Sequence, residues 1–154
     1  MVRLLLAAAA LAALTCAMET SAAGEPGYRV YARTGKFEDV RDDLKDAIIN
    51  RGFVIDHVGH LDAMLERTAE AVGAGGAVSP YVKAEYVQFC PAKLTHEAAR
   101  VTPLAIANCP VAVFAYEARS EPGKINVGYR FPPTSPSAAL REVNDRLVAL
   151  LDDI

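Results

Sequence analysis

The stretch "VAVFAYEARSEPGKINVGYRF", residues 111–131, decides the architecture. Val111–Ala118 is an almost unbroken apolar run, short enough for a strand and apolar enough to lie inside a sheet. Residues 119–124 carry Pro122 and Gly123, and Ile125–Phe131 then resumes a strand-like pattern. Two strands joined by so short a turn close a hairpin, which makes them antiparallel neighbours.

Downstream, "PPTSPS" (residues 132–137) ends the sheet, and Ser135 with Pro136 behind it reads as the cap and first residue of a helix. Leu140, Val143, Leu147, Leu150 and Leu151 give that helix its core stripe. Upstream, Lys93–Val101 reads as a short helix and Tyr81–Cys90 as a long strand. Leu61–Val72 is a helix with the stripe Leu61, Met64, Leu65, Thr68 and Val72, preceded by a strand over Phe53–Val58 that Gly59-His60 is expected to break. Phe37, Val40, Leu44, Ala47 and Ile48 form one face of another helix, with Gly52 where a C-terminal cap belongs. Tyr28–Arg33 alternates as a half-buried strand. The order β-α-β-α-β-α-β-β-α predicts an α+β fold, a mainly antiparallel sheet of about five strands with helices packed on one face. The glycine-rich loop 73–80 lacks the Lys-Ser/Thr ending of a phosphate loop and follows no strand directly, so it does not predict nucleotide binding.

The first residues, "MVRLLLAAAALAALTCAMETSAAGEP", have the layout of a secretory signal peptide. Arg3 precedes an apolar run from Leu4 to Leu14, too short to span a bilayer, and small residues stand before Gly24. Cleavage is expected after Ala23, which takes 23 of the 154 residues and leaves 131 as a single α+β domain, residues 24–154. Lipidation at Cys16 is disfavoured by Thr15 immediately before it. The expected location is the periplasm or the exterior. Loss of Arg3 and Glu19 with the leader keeps the net charge at −3, without a basic block. That balance offers no footprint for nucleic acid, and no later segment is long and apolar enough to span a membrane.

Export would leave two cysteines, Cys90 and Cys109, each followed by proline. In an oxidising compartment an even pair reads first as a structural disulfide, with free thiols or a ligand or redox role as alternatives. Geometry decides between them. If the strands on either side of the connector run antiparallel, the chain returns near its departure point and the bridge is feasible; parallel neighbours would put the cysteines at opposite sheet edges.

Three stretches together resemble the domain of unknown function 302 family, in its exported bacterial branch: "RGFVIDHVGHLDAMLERT" (51–68), "AEYVQFCPAKL" (84–94) and "NCPVAVFAYEARSEPGKINVGYRFP" (108–132). The resemblance implies a compact α+β fold of TATA-binding-protein-like arrangement. It implies no activity.

Candidate chemistry is sparse. His57, His60 and Met64 form one cluster; with a helix starting at His60, His60 and Met64 would share a face one turn apart. Histidine, thioether and a thiolate from elsewhere make a soft set suited to haem iron or copper. Against this, Met64 lies on an apolar stripe and reads first as core filler. His96 reads as solvated. Glu85, Tyr86, Glu117, Arg119 and the pair Tyr129-Arg130 read as solvating or strand-end residues, and no catalytic constellation is visible. The leading expectation is an exported, non-enzymatic accessory protein that binds a small ligand or a periplasmic partner, linked to redox metabolism. Beside it stand a haem- or copper-binding protein using His60, Met64 and a cysteine, and a disulfide-stabilised structural or stress protein. The exposed edge strand Tyr28–Arg33 would also allow a sheet-edge homodimer.

Overall fold

The computed structural model describes residues 27–154; the leader expected over residues 1–23, with Cys16, lies outside them. Five strands form one sheet in the order β1-β5-β4-β3-β2, every neighbour antiparallel. They are β1 (Tyr28–Thr34), β2 (Ile55–His60), β3 (Tyr81–Phe89), β4 (Val111–Ala118) and β5 (Lys124–Arg130). The helices are α1 (Phe37–Asn50), α2 (Leu61–Thr68), α3 (Ala92–Val101) and α4 (Ala138–Asp152), with a short 3-10 helix at Pro103–Asn108. The α+β architecture expected from the hairpin is the one present.

Strand alternation separates two faces. Val87 and Phe89 of β3, Val113 and Ala115 of β4, and Ile125 and Tyr129 of β5 point to one side. There they meet Phe37, Leu44 and Ile48 of α1 and Leu147 and Leu151 of α4 in a continuous core. A smaller cluster of Ala98, Ala105 and Val143 joins α3, the 3-10 helix and α4. Among the described residues no helix is long and apolar enough to cross a membrane.

Helix α1 ends as its glycine predicts. Gly52 adopts φ +80°, its N–H donates to the Ile49 carbonyl at 2.8 Å, and Phe53 N–H donates to Ile48 at 3.3 Å. This pair of reversed bonds satisfies the last carbonyls of the helix and turns the chain toward β2. Boundaries differ from expectation in several places, among them α2, which ends at Thr68 and leaves Val72 exposed beyond it, and β2, which starts at Ile55 rather than Phe53. Helix α4 is capped by Ser137, whose Oγ accepts from Leu140 N–H at 3.3 Å, two residues beyond Ser135. The 3-10 helix was not legible: six residues carry too little periodicity, although Pro103 at its start and the Thr102 hydroxyl capping Leu104 N–H at 3.2 Å are start signals in retrospect. Lastly, Gly59-His60 does not break β2 but completes it, pairing with Tyr86 and Glu85 of β3.

Candidate functional site

Antiparallel β3 and β4 bring the cysteines together. Phe89 pairs with Val111, so Cys90 just after β3 and Cys109 just before β4 leave the same end of the same strand pair. Their Cα atoms lie 5.4 Å apart and the sulfurs are joined. The connector, α3 and the 3-10 helix, is pinned by this link at its base. Next to Cys109, Asn108 Nδ2 donates to Asn144 Oδ1 of α4 at 3.3 Å, and Asn144 Nδ2 donates to the Pro133 carbonyl at 3.0 Å.

The histidines part company. His57 pairs with Gln88 on the helix-free face, where its ring lies 5.9 Å from that of Tyr86. His60 pairs with Glu85 on the opposite face, Nδ1 3.4 Å from Oε1. Helix α2 begins at Leu61, so His60 is an extended residue before it rather than a member of its first turn. Met64 is partly exposed, its sulfur 3.7 Å from the Thr68 hydroxyl. No group of three or more His, Cys, Asp or Glu gathers among the described residues. His96 is exposed.

Glu85 is not the solvating strand residue that its charge suggested: only 8 % of it is accessible. It lies on the helix-covered face with Val87 and Phe89, and α1 supplies the counter-charges. Arg41 Nη1 stands 3.5 Å from Oε1 and Lys45 Nζ 3.7 Å from Oε2, while Oε2 itself accepts no hydrogen bond among the described residues. Those cations offset the cost of enclosing the carboxylate, and the cluster ties α1 to β3.

A second polar network fastens α4. The Asp152 carboxylate accepts from the Tyr31 hydroxyl at 2.9 Å, from the Tyr129 hydroxyl and from Arg29. Burial, the largest single influence, pushes the carboxyl up, but the three donors outweigh it and hold Asp152 below the usual range. Burial first, and then the bond to Asp152, push the Tyr129 hydroxyl well above the usual phenol range. The network borders a cavity of about 290 Å³ beside α1 and α4, yet its polar atoms are engaged with one another, and it reads as a joint. Glu117 and Arg119 are likewise structural: Glu117 Oε1 accepts from Gly123 N–H at 2.9 Å, and Arg119 Nε donates to the Ser79 carbonyl at 2.8 Å.

The helix-free face holds the largest concentration of unassigned aromatic surface. Tyr28, Tyr81, Tyr86, Phe114 and Tyr116 line a groove of about 590 Å³, closed at one side by Leu61 of α2. Two glycines shape it. Gly59 is the cross-strand partner of Tyr86, and a Cβ built on it would fall within the Tyr86 ring. Gly128 is the partner of Phe114, and a Cβ there would come 2.9 Å from the Phe114 ring carbon Cζ and closer still to the Arg29 carbonyl oxygen. Each ring therefore occupies the space a side chain would have taken. Tyr86 and Phe114 are also partners of each other across β3 and β4. Tyr86 reaches outward over β2 and Phe114 outward over β5, so two rings that would ordinarily meet are drawn apart. Sequence reading missed this arrangement. The available signal was a glycine inside each of two strand patterns, which marks close approach of another group.

No family model matches the chain, and no curated protein matches it. Among solved structures it is similar to the crystal structure of an uncharacterized conserved protein DUF302 from Bacillus stearothermophilus, with a TM-score of 0.65 and 15 % identity over 84 % of this chain and 98 % of that one. At that identity the likeness is one of fold: this chain has the fold of that DUF302 protein.

Proposed function

We propose that this chain is an exported, disulfide-stapled, non-enzymatic member of the domain of unknown function 302 family that binds a small ligand in the groove on the helix-free face of its sheet. The fold likeness and the resemblance of residues 51–68, 84–94 and 108–132 support the family. The leader-like residues 1–23 and the paired Cys90 and Cys109 support an oxidising compartment. One observation carries the binding role: the groove of about 590 Å³, within the size range of small-molecule sites and walled by aromatic rings, lies on the face that the core does not use.

The test is to express the full chain in a bacterium, recover it from the periplasm and weigh it under native conditions. The expected result is a chain beginning at Gly24 that carries a bound small molecule, absent from Ala84→Trp, which fills the groove. A chain retained in the cytoplasm with Met1 or Val2 at its terminus would defeat the export reading. Identical bound mass in the wild type and in folded Ala84→Trp would defeat the groove.

A further inference from the structure

We infer that the groove accepts an uncharged, flat ligand of two or three fused rings, held by stacking on the faces of Tyr86 and Phe114; this rests on the ligand-binding reading above. Three observations fix the class. The first is the posture of the rings. Tyr86 and Phe114, facing partners on β3 and β4, lean away from each other onto Gly59 and Gly128. A ring laid over a glycine of the neighbouring strand presents its π face to whatever enters, and a flat ring system is the shape that gains most from such a surface.

The second is charge. Besides Glu85, the groove is lined by Tyr28, Val30, Leu61, Tyr81, Ala84, Tyr86 and residues 114–116, none of them a cation or a carboxylate. The Glu85 carboxylate is itself engaged by Arg41, Lys45 and His60 of the helix-covered side. An ionised ligand would lose its hydration and meet no counter-charge, so the lining selects a neutral one. The third is size: about 590 Å³ has room for a bicyclic or tricyclic body but not for a polymer segment buried along its length.

The glycines also answer the simpler explanation, that the rings merely shield the sheet. Shielding alone needs no gap between Tyr86 and Phe114, yet each packs away from the other, Tyr86 at 5.9 Å from the His57 ring and Phe114 at 6.2 Å from the Tyr116 ring.

The experiment is a titration of the 15N-labelled protein, purified from the periplasm, with 2-naphthol and with decahydro-2-naphthol, which keeps the carbon count and hydroxyl but is puckered. The expected outcome is saturable displacement of the Gly59, Ala84 and Gly128 amide signals by 2-naphthol, with decahydro-2-naphthol binding at least tenfold more weakly. Phe114→Leu should lower naphthol affinity about tenfold with the circular-dichroism spectrum unchanged; if that variant fails to fold, Tyr86→Leu serves the same purpose. Equal affinity for the two alcohols would overturn the flat-ring class while leaving the groove as a ligand site. No displacement of these signals by either compound would overturn both readings. Displacement of the same amides by raising protein concentration alone would assign the face to a second copy of the chain and overturn the proposal.

Discussion

The two faces of the sheet are built from alternate residues of the same strands, and they solve opposite problems. The covered face carries Val87, Phe89, Val113, Ile125 and Tyr129 into the core, and its polar groups, Glu85 and Asp152, are bound to partners from α1 and β1. The open face carries more rings, with α2 reaching them only through Leu61 at one side, and its shape comes from glycine seats at positions 59 and 128. Apolar side chains on the first face are held by what lies on top of them. On the second they are held by what has been left out underneath. An aromatic residue therefore has different meanings on the two faces of one sheet: Tyr129 is a buried anchor, while Tyr86 and Phe114 are surfaces.

This contrast can be broken most forcefully at Phe89, which has no accessible surface. Phe89→Ala should cost about 4 kcal/mol in urea unfolding, whereas Phe114→Ala should cost about 1 kcal/mol. Equal losses would mean that the open face is core in disguise. The link at the base of α3 comes next. Replacing Cys90 and Cys109 together with serine, or reducing the wild type, should lower stability by about 3 kcal/mol on the loop-closure estimate. Denaturant midpoints with and without reductant measure it, and a wild type indifferent to reductant would show that the thiols are not bonded in solution.

The smallest effect is expected at Asp152. Its folded carboxyl lies below the usual range, so its stabilisation is present above the unfolded value of about pH 4 and is lost as the pH falls through the lower folded one. Asp152→Asn should be destabilised by about 1 kcal/mol at neutral pH, and the gap to the wild type should close in acid. A gap that stays constant from pH 7 to pH 2 would mean that the tie is not electrostatic.

How much of this was written locally can be judged from particular residues. The β4–β5 hairpin and the helix over residues 37–50 were legible because period, turn residues and Gly52 all act within a few positions of one another. The antiparallel joining of β3 and β4, which brings Cys90 to Cys109, rested on strand direction across a 19-residue separation and stayed open until the register was known. Glu85 and Asp152 were opaque for a stronger reason. A carboxylate on a strand or a helix end looks solvated unless its partners are known, and Tyr31 lies 121 residues from Asp152. The glycine seats fall between these cases. Gly59 has the sequence signature of a strand breaker, because a glycine that ends a strand and one that makes room for a neighbour look alike in a single chain.

The order of strands also has a consequence in time. Among the described residues β1 comes first, yet it pairs only with β5, and the pairing of Tyr28 with Arg130 spans most of them. Arg29 and Tyr31 then wait further still, for Asp152 near the end. The sheet cannot be completed until β5 is available to β1, because the loop that closes β1 onto β5 is among the longest the described residues contain. The β3–β4 pair, with its cysteines, can assemble earlier from near neighbours. Helix α4 is thus the clasp on β1, and the fold is closed by contacts between its two elements most distant in the described chain.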